Sequence, residues 1–152
     1  MFKQIRILIM GLPGSGKTTL ARQLTARLEN SLLLNADALR EEANDWDFSD
    51  EGRIRQAHRI KDLADELPCH YVIADFVAGT VRQRDIYRPH IVVWMNTIKE
   101  GRYEDTNKVF VKPMVSPIIY KIRFDSFAEI DVDKVVTAVK EYKSWRESQN
   151  IV

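Results

Sequence analysis

A lysine set behind two regularly spaced glycines is the first place where this chain could do chemistry. Gly11-Leu12-Pro13-Gly14-Ser15-Gly16-Lys17-Thr18-Thr19 satisfies G-x-x-x-x-G-K-[ST] without a gap. Glycines let successive backbone N–H groups turn inward, and a helix N-terminus adds partial positive charge, so the stretch is built to cradle an anion. Lys17 is placed to reach the β- and γ-phosphates of a nucleoside triphosphate, and the Thr18 hydroxyl to ligate Mg²⁺. Pro13 removes a donor and stiffens the loop. Gly11, Pro13, Gly14, Ser15, Gly16, Lys17, Thr18 and Thr19 are therefore the expected ATP-binding set. A glycine-rich turn that binds nothing is the alternative, and the flanks argue against it. Ile5–Met10 reads as a buried strand, while Leu20, Leu24 and Leu28 recur at helical spacing with Ala21 beside them.

Two acids close later apolar runs. Ser31–Asn35 is a short buried strand followed by Asp37 and Arg40, and His70–Asp75 is another that ends on an acid. Ligands of open α/β sheets bind outside the carboxyl ends of the strands, so both acids share an edge with the glycine loop. Asp75 fits an acid that holds Mg²⁺ through water, against a role in a turn or cap. Asp37 reads either as a site residue or as the N-cap of a helix over Ala38–Glu42, and Arg40 as a site residue or plain surface charge. His58 reads as a surface imidazole and Cys69 as a structural thiol.

Helices and strands must alternate to position these groups. Ser49 caps a helix whose apolar face is Ala57, Ile60, Ala64 and Leu67 and which Pro68 ends; Gly52 inside it is tolerable so near the start. A short polar helix over 79–87 and a strand over 91–95 follow. Residues 96–117 read as irregular, with Pro113 and Pro117, and a loop of that length in a small domain is usually functional. A fifth strand covers 118–124, and a last helix starts near Asp131 with Val132, Val135, Val136 and Val139 inward. The alternation predicts an α/β protein, a three-layer fold with a five-stranded mostly parallel sheet in a single domain over 1–152.

Composition narrows the partners. The chain has 152 residues, 45% hydrophobic and 30% charged, with a formal net charge of +1. That charge supplies no long-range field for nucleic acid or an anionic membrane. One cysteine gives no internal disulfide, no apolar run reaches membrane-spanning length, and no leader pattern is present, so a cytoplasmic protein is expected. A homodimer is compatible with the chain.

Taken together, these residues resemble the adenylylsulfate (APS) kinase family of small P-loop kinases, built on the P-loop NTPase fold. Leu34-Asn35-Ala36-Asp37-Ala38-Leu39-Arg40 stands in register with that family's L-D-G-D-N-x-R and keeps the second Asp and the Arg. Phe48, Ser49, Arg53 and Arg59 match F-S-x-x-x-R-x-x-N-I-R-R, with Gln56 at the Asn. Tyr103 to Pro113 aligns with F-T-G-I-D-S-P-Y-E-P-P, retaining the two aromatics and a proline.

The resemblance implies ATP and Mg²⁺ as cofactors and a small nucleotide acceptor, most simply the 3′-hydroxyl of adenylylsulfate. It casts Asp37 as the carboxylate that takes the hydroxyl proton or helps hold the metal, alongside Lys17 as the other catalytic group. Arg40 and Arg53 become binders of the phosphosulfate, and Phe48 and Tyr103 the aromatics around its adenine, where stacking is worth about 1–3 kcal/mol. Packing against the helix that it precedes is the alternative for Phe48. Gln56 and Phe76 fall at acceptor-side positions of the family pattern. The chain also departs from that pattern. Ile73-Ala74-Asp75-Phe76-Val77 lacks the serine and arginine of I-S-P-[FY]-R, Ala38 replaces an Asn, and 97–102 is all that spans the family's long lid, with Lys99 and Arg102 its cations. A lid excludes water, so its loss should slow transfer or admit hydrolysis. Rival expectations are a polynucleotide 5′-kinase or another small-metabolite hydroxyl kinase, and an ATP-binding protein without phosphotransfer.

Overall fold

The computed structural model describes residues 3–113 and 119–149; Pro117 and Ile118 lie outside them. The elements run β1 (Ile5–Met10), α1 (Lys17–Arg27), β2 (Ser31–Asn35), α2 (Ala36–Ala43), α3 (Asp50–Glu66), β3 (Tyr71–Asp75), α4 (Val81–Tyr87), β4 (Ile91–Met95), α5 (Glu104–Val109), β5 (Tyr120–Phe124) and α6 (Val132–Ser148). The five strands pair in the order β2-β3-β1-β4-β5, and each of these pairings is parallel. This is the expected three-layer P-loop NTPase architecture.

Strand alternation sorts the core into two layers. Ile5, Ile7 and Ile9 of β1 face one way and pack with Leu20, Leu24, Val135 and Val139 of α1 and α6. Leu8 and Met10 face the other way and pack with Ile60, Ala64 and Tyr87 of α3 and α4. Strands buried on both faces read as continuous apolar runs, which is why β1 and β3 carry so few polar residues.

The chain goes from β1 out to β2, back to β3 beside β1, and then across to β4 and β5. That reversal leaves a crevice at the carboxyl edge beside β1, where ligands of such sheets bind. Register then fixes who meets whom: Asn35 and Ile9 both stand opposite Asp75.

Several local expectations are met and some are revised. Ser49 caps α3 by accepting from the Gly52 N–H, and Asp131 caps α6. The cap of α2 is Asn35, whose side chain accepts from the Ala38 N–H, so Asp37 lies inside the first turn and is exposed. The stretch read as irregular contains α5, fastened by Asn107, which accepts from the Gly101 N–H at 2.8 Å and donates to its carbonyl at 3.0 Å. Gly52 is more than tolerable. A Cβ there would come within 2.1 Å of the Asp47 carbonyl oxygen, so the turn between α2 and α3 closes only over a glycine.

Candidate active site

The glycine loop sits at the central carboxyl edge of the sheet, between β1 and α1. Gly14 and Gly16 have φ of +87° and +97°, a region that L side chains rarely enter, which turns the loop's backbone toward the start of α1. A Cβ on Gly11 would meet Ser15 Oγ at 2.7 Å and the Met95 carbonyl oxygen at 2.8 Å, so the loop is packed directly on the end of β4. Ser15 Oγ is shielded there without a hydrogen-bond partner. From outside, Thr97 Oγ1 donates to the Ser15 carbonyl at 2.7 Å, and Gly101 lies so close to Pro13 that a Cβ would be 3.2 Å from its ring. The short segment after β4 therefore braces the loop.

Lys17 opens α1 and is buried, with its Nζ donating to the Leu12 carbonyl at 3.0 Å. Burial pulls its ammonium below the ordinary lysine value, and the charges of Asp75 and then Asp37 pull it back. One turn of chemistry further, Thr18 Oγ1 donates to Asp75 Oδ2 at 2.7 Å, and Asn35 Nδ2 donates to the same oxygen at 2.7 Å. Asp75 is buried at the end of β3. The strand register produces this cluster: β2 and β3 end together, and α1 crosses their ends on the face to which Asn35 and Asp75 point.

This donor set fits a Mg²⁺ triphosphate. A cationic side chain and inward N–H groups suit phosphate oxygens, and a hydroxyl beside a carboxylate suits a hard cation that keeps water. Among the described residues no group of three or more His, Cys, Asp or Glu could hold a metal by itself. A Mg²⁺ here would rest on Thr18, on Asp75 through water, and on the phosphates.

On the acceptor side the structure distributes the expected residues unevenly. Arg40 is buried, donates through Nη1 to the carbonyls of Asp45 at 2.9 Å and Asp47 at 3.1 Å, and lies 4.3 Å from the Phe48 ring centroid. Phe48 and Tyr103 remain half exposed, at 51% and 56%. Arg53 is buried, with Nη2 at 3.5 Å from Thr106 Oγ1, which links α3 to α5. Gln56 donates to the Ala36 carbonyl at 2.9 Å and accepts from Arg59, so it ties α2 to α3. Phe76 is buried edge-on against Tyr87, with centroids 6.1 Å apart. Arg55 and Arg59 converge on Asp45 and hold its carboxyl far below the usual range, which fixes the loop that carries Phe48. Cys69 is buried, its thiol pushed up by burial.

Asn35, Thr97 and Asp45 are positioned around the site without having been singled out in the sequence. Asn35 alone carried a signal, since it falls on the first Asp of the L-D-G-D pattern; the others depend on contacts distant in sequence.

Comparison with known proteins bears on the fold. The APS kinase of Mycobacterium tuberculosis superposes with a TM-score of 0.67 at 18% identity over 95% of this chain and 99% of that one. A gluconokinase from Sinorhizobium meliloti 1021 gives 0.65 at 13% identity over 99% and 98%. Shikimate kinase from Acinetobacter baumannii gives 0.60 at 20% identity over 93% and 96%. The fold is thus that of the small-molecule P-loop kinases. No curated protein sequence matches the chain. No helix among the described residues is long and apolar enough to cross a membrane. A family model described as "AAA domain" matches residues 7–100, which hold the loop, Asp37, Asp75 and Thr97, and the chain belongs to that family.

Proposed function

We propose that the protein, acting as one domain over 1–152, transfers the γ-phosphoryl group of ATP to a hydroxyl of a small nucleotide, with the 3′-hydroxyl of adenylylsulfate as the leading acceptor. The observation that carries this reading is Asp75 held 2.7 Å from the Thr18 hydroxyl, beside the buried Lys17, at the mouth of the loop. Lys17 would exchange the neutral Leu12 carbonyl for phosphate oxygens, a stronger charge-assisted partner. Thr18, with Asp75 through water, would hold Mg²⁺, which would offset the charge of the phosphates. Asp37, exposed in the first turn of α2 and close enough for its charge to act on Lys17, would orient the acceptor hydroxyl. It would take the proton as that oxygen bonds the γ-phosphorus and ADP departs. Phe48 and Tyr103 are exposed rings available to stack on an acceptor base, and Arg53, buried on α3, approaches Thr106 of α5 at 3.5 Å.

A coupled assay of ADP formation tests this. ATP consumption stimulated by adenylylsulfate supports it, and consumption that no adenylylsulfate concentration changes sinks that acceptor. Salt-sensitive turnover on oligonucleotides would favour a 5′-polynucleotide kinase instead. A second reading, ATP binding without transfer, draws on Arg40 and Gln56, whose donors already serve the carbonyls of Asp45, Asp47 and Ala36. Tight ATP binding with no turnover across an acceptor panel would establish it.

A further inference from the structure

The chain between β4 and β5 forms a helix that cannot stand alone. α5 is six residues long, and an isolated helix of fewer than about 12–15 residues is marginal in water. None of its described residues belongs to either core layer. Tethers must therefore set where it lies. Before the helix, Gly101 is packed on the glycine loop: a Cβ there would be 3.2 Å from the Pro13 ring and 3.3 Å from the Pro13 carbonyl oxygen. Within the helix, Thr106 Oγ1 lies 3.5 Å from Arg53 Nη2 of α3. Past it, the Val111 N–H donates to the carbonyl of Gly79, after β3, at 2.6 Å.

Asn107 joins the first tether to the second. Its side chain accepts from the Gly101 N–H at 2.8 Å and donates to the Gly101 carbonyl at 3.0 Å, while its own N–H donates to the Tyr103 carbonyl at 3.2 Å. Tyr103 stands inside the loop of chain that this clasp closes, with Arg102 5.8 Å from its ring centroid. Two opposed hydrogen bonds to one residue fix a single geometry, because both distance and angle must be met at once.

We propose that Asn107 is a positioning residue that couples the two halves of the site. Nucleotide in the glycine loop steadies Pro13, the packing of Gly101 passes this on, and the clasp carries it to Tyr103 and Thr106 on the acceptor side. The link is contiguous, each step being a packed or hydrogen-bonded contact. A ligand that orders this segment lowers the ordering cost of the next one, with no change of fold. Such coupling is reciprocal, so acceptor binding tightens ATP binding by the same factor. The inference rests on the kinase reading given above.

Amide hydrogen exchange of the full chain tests it, with a non-hydrolysable ATP analogue and Mg²⁺. In the wild type, exchange should slow at Gly14 and Gly16 and also over 103–109. In Asn107→Ala the slowing should persist at the loop and disappear over 103–109. Wild-type protection at the loop with none over 103–109 overturns the coupling and leaves the kinase reading standing, whereas no protection at the loop overturns both. Protection over 103–109 that survives in Asn107→Ala overturns the role of Asn107.

Acceptor affinity gives a second readout. The analogue should tighten adenylylsulfate binding about fivefold or more in the wild type and by less than about twofold in Asn107→Ala. Gly101→Ala, whose methyl would press the segment away from Pro13 while leaving the clasp, should lose the enhancement too. A merely structural role would weaken both affinities and leave the enhancement as in the wild type, and that result overturns the proposal. If adenylylsulfate binds in neither state, that acceptor falls, and the exchange measurement decides the coupling.

Discussion

Thr18 Oγ1 donates to Asp75 Oδ2 across 2.7 Å, joining the first turn of α1 to the last residue of β3. The two residues are 57 positions apart in sequence, and only the parallel pairing of β1 with β3 brings them together. Asp75→Asn keeps an acceptor oxygen and removes the charge. Thermal shift with ATP should then lose most of its Mg²⁺-dependent part and keep its Mg²⁺-independent part. An unchanged Mg²⁺ effect would remove Asp75 from the metal's surroundings.

Lys17→Met should lower ATP turnover about 10²–10³-fold, the usual cost of removing one donor aimed at developing charge. The free protein should melt at the same temperature or slightly higher, because the variant loses one hydrogen bond to the Leu12 carbonyl but also a buried cation. Turnover within twofold of wild type would exclude Lys17 from the transfer step.

Phe48→Ala and Tyr103→Ala separate stacking from catalysis. Each should raise the acceptor KM by roughly 5–150-fold, the equivalent of about 1–3 kcal/mol per stacked base, with a smaller effect on the KM for ATP. Phe48→Ala also takes away the ring on which Arg40 lies. Equal acceptor kinetics in both variants and wild type would show that neither ring meets the acceptor.

Gly52→Ala should destabilise the fold by about 1–3 kcal/mol, because the added methyl collides with backbone of the α2–α3 turn rather than with a side chain that could swing away. Chemical denaturation gives the value, and the melting temperature should fall by about 2–4 °C for each kcal/mol in a chain of this size. A helix-propensity effect alone would have the opposite sign, since alanine is the better helix former.

His90 predicts the pH dependence of stability. Its Nδ1 accepts from the Arg6 N–H at 2.9 Å, and burial, then the charges of Arg146 and Arg6, push its pKa down to about 4. The folded value lies below the unfolded value of 6.5, so the unfolded chain binds the extra proton between them. The contribution is fully present above pH 6.5 and is lost as pH falls toward 4. Asp47, held at about 2, responds below that window. His90→Asn, which keeps an acceptor and cannot titrate, should flatten the melting temperature between pH 6.5 and 4; an equally steep slope would place the effect elsewhere.

The sequence by itself determined the donor half. A glycine loop between an apolar strand and an amphipathic helix is a local unit, and its anion chemistry follows from residues within one turn of each other. The alternation of strands and helices was equally legible, because burial on both faces of a parallel sheet writes continuous apolar runs. Strand order and register decided the rest. They set Asn35 beside Asp75, gave the helix cap to Asn35 rather than Asp37, spent Gln56 on the Ala36 carbonyl, and buried Phe76 on Tyr87. They also turned Gly52 into a packing requirement. Each of these rests on contacts between residues brought together by folding, for which a local pattern carries no signal.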